Sequence, residues 1–185
     1  MDAFELIHGR SATGRVKADP LPRAVIEKLL AAGAQAPNHY KVRPWRFVVL
    51  TGAALGRLGD VMAASLKAKF PELAEENLAK ERAKALRAPL IIAVAADLPA
   101  EPKVDRMENI TAAAAACQNI LLAAHAEGLG AIWRTGDTAR DPEIKRFLGF
   151  APEQELLAFI YIGYPDAPVE KKERPSFEDR TVWME

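Results

Sequence analysis

The chain has 185 residues, half of them hydrophobic and 27% charged, a balance that fits one soluble globular domain spanning 1–185. Lysine plus arginine and aspartate plus glutamate number 25 each, so the net charge is zero, which argues against nucleic-acid binding through bulk positive charge. The single cysteine, Cys117, excludes an internal disulfide and favours a reducing, cytoplasmic setting.

The opening Met1-Asp2-Ala3-Phe4-Glu5 carries no basic-then-apolar leader pattern. Asp2 to His8 reads as a short helix with Phe4 and Ile7 on one face, stopped by Gly9. Pro22 suits the first turn of a second helix, in which Val25, Ile26, Leu29 and Leu30 recur at helical spacing. Residues 33–44 are irregular, and Trp45 to Leu50 reads as a strand ended by Thr51-Gly52. Ala53 to Phe70 and Glu72 to Arg87 are helical by propensity. Pro89 to Ala96 is a strand apolar on both faces, so it belongs in the middle of a sheet.

Met107 to Glu127 is the longest helix, apolar most of the way round, and so is expected to be covered on several sides, including by a second subunit. The apolar stretch from Ala112 to Trp133 is interrupted by Gln118, Asn119, His125 and Glu127, which fits a buried helix and not a membrane span. Gly130 to Thr135 begins a third strand, Asp141 to Leu148 forms a short helix, and Leu156 to Tyr164 a fourth strand. Thr181-Val182-Trp183 is expected to add a short terminal strand. Helices interleaved with strands through long irregular crossovers predict an α+β fold: a mixed central sheet of four to five strands flanked by helices.

Several chemistries lack their motif. No Gly-x-Gly-x-x-Gly follows a strand, and there is no phosphate-binding Gly-rich Lys loop and no Gly-x-Ser-x-Gly. His8, His39 and His125 are far apart in sequence, so no metal site is expected. Three segments do carry chemistry. Gly9-Arg10-Ser11 offers a guanidinium, a hydroxyl and flexible backbone, a phosphate or ribityl clamp that by itself is better read as a helix cap with a solvent-exposed Arg. Asn38 and His39 sit in a proline-stiffened loop that leads through Arg43-Pro44 to Trp45, itself a core residue. Gly128 and Gly130 allow close backbone approach, and Trp133-Arg134-Thr135 sets a ring, a cation and a hydroxyl at a strand edge. Lys172-Glu173-Arg174-Pro175 reads by default as a solvated charge run.

Taken in order, five stretches resemble the nitroreductase family, in particular its compact branch of small NAD(P)H nitroreductases. They are residues 5–11, 33–39, 44–49, 87–92 and 128–136, and the resemblance they mark extends over nearly all of the chain. The resemblance implies a nitroreductase-like, FMN-dependent, dimer-forming fold, with two FMN molecules at the interface of a homodimer. It implies that Gly9, Arg10, Ser11, Trp133, Arg134 and Thr135 contact FMN from one chain and Gln35 and His39 from the partner. Lys172 and Arg174 match an element that holds the FMN phosphate. Ala123, Ala124, His125, Ala126, Glu127 and Gly128 match a stretch linked with the nicotinamide nucleotide. No residue is assigned as catalytic, because flavin N5 carries the chemistry.

The implied activity is reduction of nitroaromatics, quinones or similar electron-poor acceptors by NADH or NADPH, with ping-pong hydride transfer. The alternatives are a flavin-binding sensor or store without turnover, other reductive chemistry such as dehalogenation, or a helical interaction module that binds no cofactor. The chain departs from the family at Gly9 and Thr13, where relatives carry basic residues, and at Gln35, which is basic in some. Phosphate anchoring then falls on Arg10 and Arg174, and the cation facing the reduced flavin is Arg134 or His39.

Overall fold

The computed structural model describes residues 2–99, 103–168 and 174–185. Four strands, β1 (Trp45–Thr51), β2 (Leu90–Ala96), β3 (Gly130–Arg134) and β4 (Glu155–Gly163), form one sheet in the order β1-β2-β4-β3. β2 is buried at every position and lies inside the sheet, as its unbroken apolar run predicts.

The helices are α1 (Ala3–Gly9), α2 (Arg23–Gly33), α3 (Ala53–Lys69), α4 (Glu75–Lys84), α5 (Arg106–Ala126), α6 (Asp137–Arg140) and α7 (Pro142–Phe147). α1 and α5 each start with a full capping box, Asp2 with Glu5 and Asp105 with Glu108, which satisfies backbone N–H groups at both starts. α4 is shorter than its propensity suggests: Ala74 caps its start, and Pro89 disfavours helix at the residue before it.

The expectation of a mixed sheet is corrected: among the described residues every neighbouring pair is antiparallel. The connections explain why. Two helices, α3 and α4, lie between β1 and β2 and return the chain to the end it left. The single helix α5 between β2 and β3 does give those two strands the same direction, but β4 inserts between them. The expected strand at Thr181–Trp183 is also corrected. It follows a 3-10 turn at Glu178–Arg180 with no strand beside it in the chain, and Val182 and Trp183 are 86% and 78% exposed.

Helices cover both faces. On one, α2 and α5 pack Leu29, Ile120 and Leu121 against Ile92, Ala158, Ile160 and Ile162. On the other, α3 and α7 pack Leu58, Met62 and Ile144 against Ile91, Ala93 and Phe159. Burying a large apolar side chain is worth about 1.5–3 kcal/mol, so these two layers supply the main stabilising term. Cys117 lies wholly inside the α5 layer, where burial pushes its thiol up to about 12, so it is neutral and unreactive near pH 7.

One buried polar cluster interrupts the second face. Asp141 is 4% exposed and caps α7 by accepting from the Glu143 N–H at 2.9 Å. The Ser65 hydroxyl also donates to its carboxylate, and Lys69 Nζ approaches to 2.5 Å. Burial alone would raise the Asp141 pKa. The lysine and the donated hydrogen bonds outweigh it and hold the carboxyl below its ordinary value.

Candidate functional site

At the end of α1 the chain turns out to run beside β3. A side chain on Gly9 would begin 2.9 Å from His125 Nε2, so glycine is what lets α1 close on the end of α5. Four residues on, the Thr13 N–H donates to the Ala131 carbonyl at 2.9 Å. Gly130 is required there, since a Cβ on it would lie 2.8 Å from Thr13 Cγ2. The backbone of 10–13 is thereby fixed along β3.

Arg10 and Arg174 meet across most of the sequence: Arg174 Nη2 donates to the Arg10 carbonyl at 3.2 Å. Partial burial and the Arg174 cation together push the Arg10 guanidinium below its ordinary value. Two cations held close are the electrostatic signature of an anion site. Ser11 is half-buried beside them. Lys172 lies outside the described residues.

Trp133 and Arg134, which the sequence places together, point to opposite faces of β3, as adjacent strand residues must. Trp133 packs on the α5 side and donates from Nε1 to the Leu157 carbonyl at 3.1 Å. Arg134 lies on the α3 side, 5.6 Å from the Tyr161 ring centre. Its Nε is buried with no hydrogen-bond partner among the described residues. Thr135 is exposed at the strand end.

Gln35 and His39 lie elsewhere, exposed on the loop after α2. His39 Nε2 is 3.7 Å from Glu108 in the first turn of α5, and its ring meets Tyr40 edge-on. Asn38 Oδ1 accepts from the Arg43 N–H at 2.9 Å and draws the loop closed. Tyr40, Lys41 and Arg43 have φ of 49°, 56° and 50°, the left-handed region that costs non-glycine residues roughly 1–2 kcal/mol each.

The two groups therefore sit at opposite ends of α5: His39 by Glu108, Gly9 by His125. At a rise of about 1.5 Å per residue, roughly 26 Å of helix separates those two anchor points. One chain does not bring the two groups to one ligand.

Of the segment matched to the nicotinamide nucleotide, Ala124 has no exposed surface and Ala123 is half-buried. His125 packs on Gly9, and Glu127 pairs with Lys28 at 3.3 Å. Ala126, Glu127 and Gly128 are exposed at the helix end.

A cavity of about 710 Å³ adjoins none of the expected site residues. It lies along the edge strand β1 between Leu21, Ile26, Leu30, Val49, Leu55 and Leu86. A second, of about 320 Å³, does adjoin them: it brings Lys84, Arg87 and Tyr161 to Arg134 and Thr135. No sequence motif marks this grouping, because its members come from the end of α4, the turn after it, β3 and β4. Strand alternation alone would have separated Trp133 from Arg134.

Among the described residues no helix is long and apolar enough to cross a membrane. The antiparallel sheet between helical layers, with two arginines meeting near one end of its core helix, is an α+β architecture with a cationic, anion-binding corner. A sequence model of the Nitroreductase family matches residues 7–164. The protein named "Putative NAD(P)H nitroreductase YdjA" of Escherichia coli K12 is 33% identical over 166 residues, which is 89% of each chain. A Bacillus cereus protein described as nitroreductase-like superposes with a TM-score of 0.86 over 100% of this chain and 97% of its own, at 24% identity. A Desulfovibrio desulfuricans protein solved in complex with FMN superposes with a TM-score of 0.75 over 100% of this chain and 98% of its own, at 25% identity. The chain belongs to the nitroreductase family, a family of oxidoreductases.

Proposed function

We propose that residues 1–185 form one FMN-binding domain of a cytoplasmic homodimeric oxidoreductase that uses NADH or NADPH to reduce nitroaromatics, quinones or similar electron-poor acceptors. The observation that carries this reading is the separation of the two residue groups along α5. Arg10, Ser11 and Arg174 form one half of a site and Gln35 with His39 the other, so a complete site takes one half from each of two copies. The exposed apolar tail of Phe177, Val182, Trp183 and Met184 is surface that a second copy would cover.

FMN fits the residues present. Its phosphate is a dianion, and Arg10 beside Arg174 is a pair of cations without a carboxylate between them among the described residues. Arg10, Arg174, Ser11 and the backbone fixed by Thr13 would hold the phosphate end, with Thr135 and the rim of β3 along the ring. Bound FMN would supply the two-electron chemistry between nicotinamide and acceptor. The protein's part is to anchor the phosphate, to place a cation at Arg134 or His39, and to leave one ring face open. One face serving two substrates in turn gives ping-pong kinetics, read as parallel lines in initial-rate plots.

Mixed-variant complementation tests the shared site. Arg10→Ala and His39→Ala each damage every site of their own homodimer. Refolded together, half of the dimers are mixed, and each mixed dimer has one intact site, so about a quarter of wild-type FMN-dependent NAD(P)H oxidation returns. No recovery, in a mixture shown to exchange subunits, overturns the shared site.

A further inference from the structure

The loop that carries His39 holds more positive charge than the flavin uses. Its two feet are buried, Ala36 on one side and Pro44 with Trp45 on the other, and Ala36 and Trp45 pack on Ala112, Ala113 and Ala116 of α5. Between the feet, Tyr40, Lys41 and Arg43 are all exposed and all in the left-handed region, with Tyr40 exposed to 57%. Asn38 ties the loop across: its Nδ2 donates to the Ala36 carbonyl at 3.4 Å and its Oδ1 accepts from the Arg43 N–H at 2.9 Å. Strain fixed in this way collects where a ligand is held. The cations of the segment are not alike. Arg46 is matched by Asp97, and Glu108 faces His39 at 3.7 Å. Lys41 and Arg43 have no carboxylate partner among the described residues. The flavin phosphate falls to Arg10 and Arg174, so these two cations remain for a different anion. They follow His39 by two and four residues, which keeps their Cα atoms within about 7 and 14 Å of its own.

We propose that Tyr40, Lys41 and Arg43, reaching the shared site from the partner's half, select NADPH over NADH. The 2′-phosphate sits between the Lys41 ammonium and the Arg43 guanidinium, and the adenine stacks on the Tyr40 ring. The inference rests on the flavin reading above and adds to it which nucleotide is used. A guanidinium fork and an ammonium together suit a phosphate dianion, and the bare 2′-hydroxyl of NADH offers them no charge. An exposed aromatic ring gives a flat base a surface to stack on. The 2′-phosphate is remote from the nicotinamide, so its recognition shows in affinity and KM and not in the chemical step. The contacts face solvent, so the preference weakens as salt rises.

Two readouts test this, one of them without turnover. FMN-loaded protein is titrated calorimetrically, at low ionic strength, with adenosine 2′,5′-bisphosphate, adenosine 5′-monophosphate and inorganic phosphate. The bisphosphate is expected to bind about tenfold more tightly than either of the others, the factor that a hydrogen-bonded charge contact supplies. In initial rates, kcat/KM for NADPH is expected to exceed that for NADH by about the same factor, with the difference in KM. The double variant Lys41→Gln with Arg43→Gln keeps side-chain bulk and the backbone N–H that Asn38 holds, and is expected to abolish both margins. Arg46→Ala, which removes a cation that Asp97 already offsets, should leave the NADPH-to-NADH ratio within about twofold of wild type. Equal binding of bisphosphate and monophosphate, equal binding of inorganic phosphate, a double variant that keeps the preference, or an Arg46→Ala variant that loses it each overturns the proposal. If neither nucleotide bleaches the bound flavin, the flavin reading falls and takes this one with it. If NADH bleaches it as efficiently as NADPH, only the present inference falls.

Discussion

The two ends of α5 are built differently. At the Gly9–His125 end, glycines allow van der Waals closure and backbone hydrogen bonds lock 10–13 to β3. At the Glu108 end, three residues in four occupy the left-handed region and the side chains are mostly exposed. The first end is rigid and cationic, suited to holding a phosphate. The second is strained and open, and in the proposed dimer it is the end that a partner would face. Strain kept at a site is tolerated where the surrounding structure fixes it, and here Asn38 does so.

The contrast is sharpened first by a change far from both ends. Asp141→Ala leaves α7 uncapped and Lys69 without its carboxylate, and should lower stability to urea by about 2–3 kcal/mol, discounted because Lys69 is half exposed. FMN affinity should stay as in wild type. The folded pKa of Asp141 lies below its unfolded value, so its contribution is present above the unfolded value near pH 4 and is lost as pH falls through the folded one. Wild type should therefore lose more stability than Asp141→Ala on acidification below about pH 4, and parallel pH curves would remove Asp141 from the account.

At the rigid end, Arg10→Ala should weaken FMN by about tenfold to a hundredfold, the loss of a hydrogen bond to a charged group worth roughly 1.5–3 kcal/mol. Titration of apo-protein with FMN reads this, and an unchanged affinity would dissolve the distinction between the ends. At the strained end, Tyr40→Gly should stabilise the protein by about 0.5–1 kcal/mol, as relief of the left-handed φ exceeds the added chain entropy. Thermal unfolding of the FMN-free protein measures it, and destabilisation would show that the Tyr40 ring matters more than its backbone.

The smallest effect belongs to His39→Gln. Its contact with Glu108 is long and exposed, so stability should move by less than about 0.5 kcal/mol. Turnover should nevertheless fall, because the proposed shared site sets this residue against the partner's half. Equal turnover would leave the loop a surface turn.

Much of this was legible in the residues. The apolar run at 90–96 announced an interior strand, Phe4 and Ile7 at helical spacing announced the first helix, and five ordered stretches announced the family. The antiparallel pairing was not legible, because hydrophobic pattern reports burial and says nothing of which strand slides between two others. The tail at 181–183 has strand-like residues, but a strand needs a neighbour and the described residues offer it none.

Composition and local pattern, which act through side chains near in sequence, settled the main helices, the four strands of the sheet and the buried run of β2. Only tertiary structure decided that Arg174 meets Arg10, that Arg134 parts from Trp133, and that Lys84 and Arg87 gather beside Tyr161. Those meetings join residues from separate elements, and long-range proximity depends on how the sheet is ordered and which face each side chain takes. The separation of the two residue groups along α5 follows from the same cause: a helix this long holds its two ends apart, whatever its residues are.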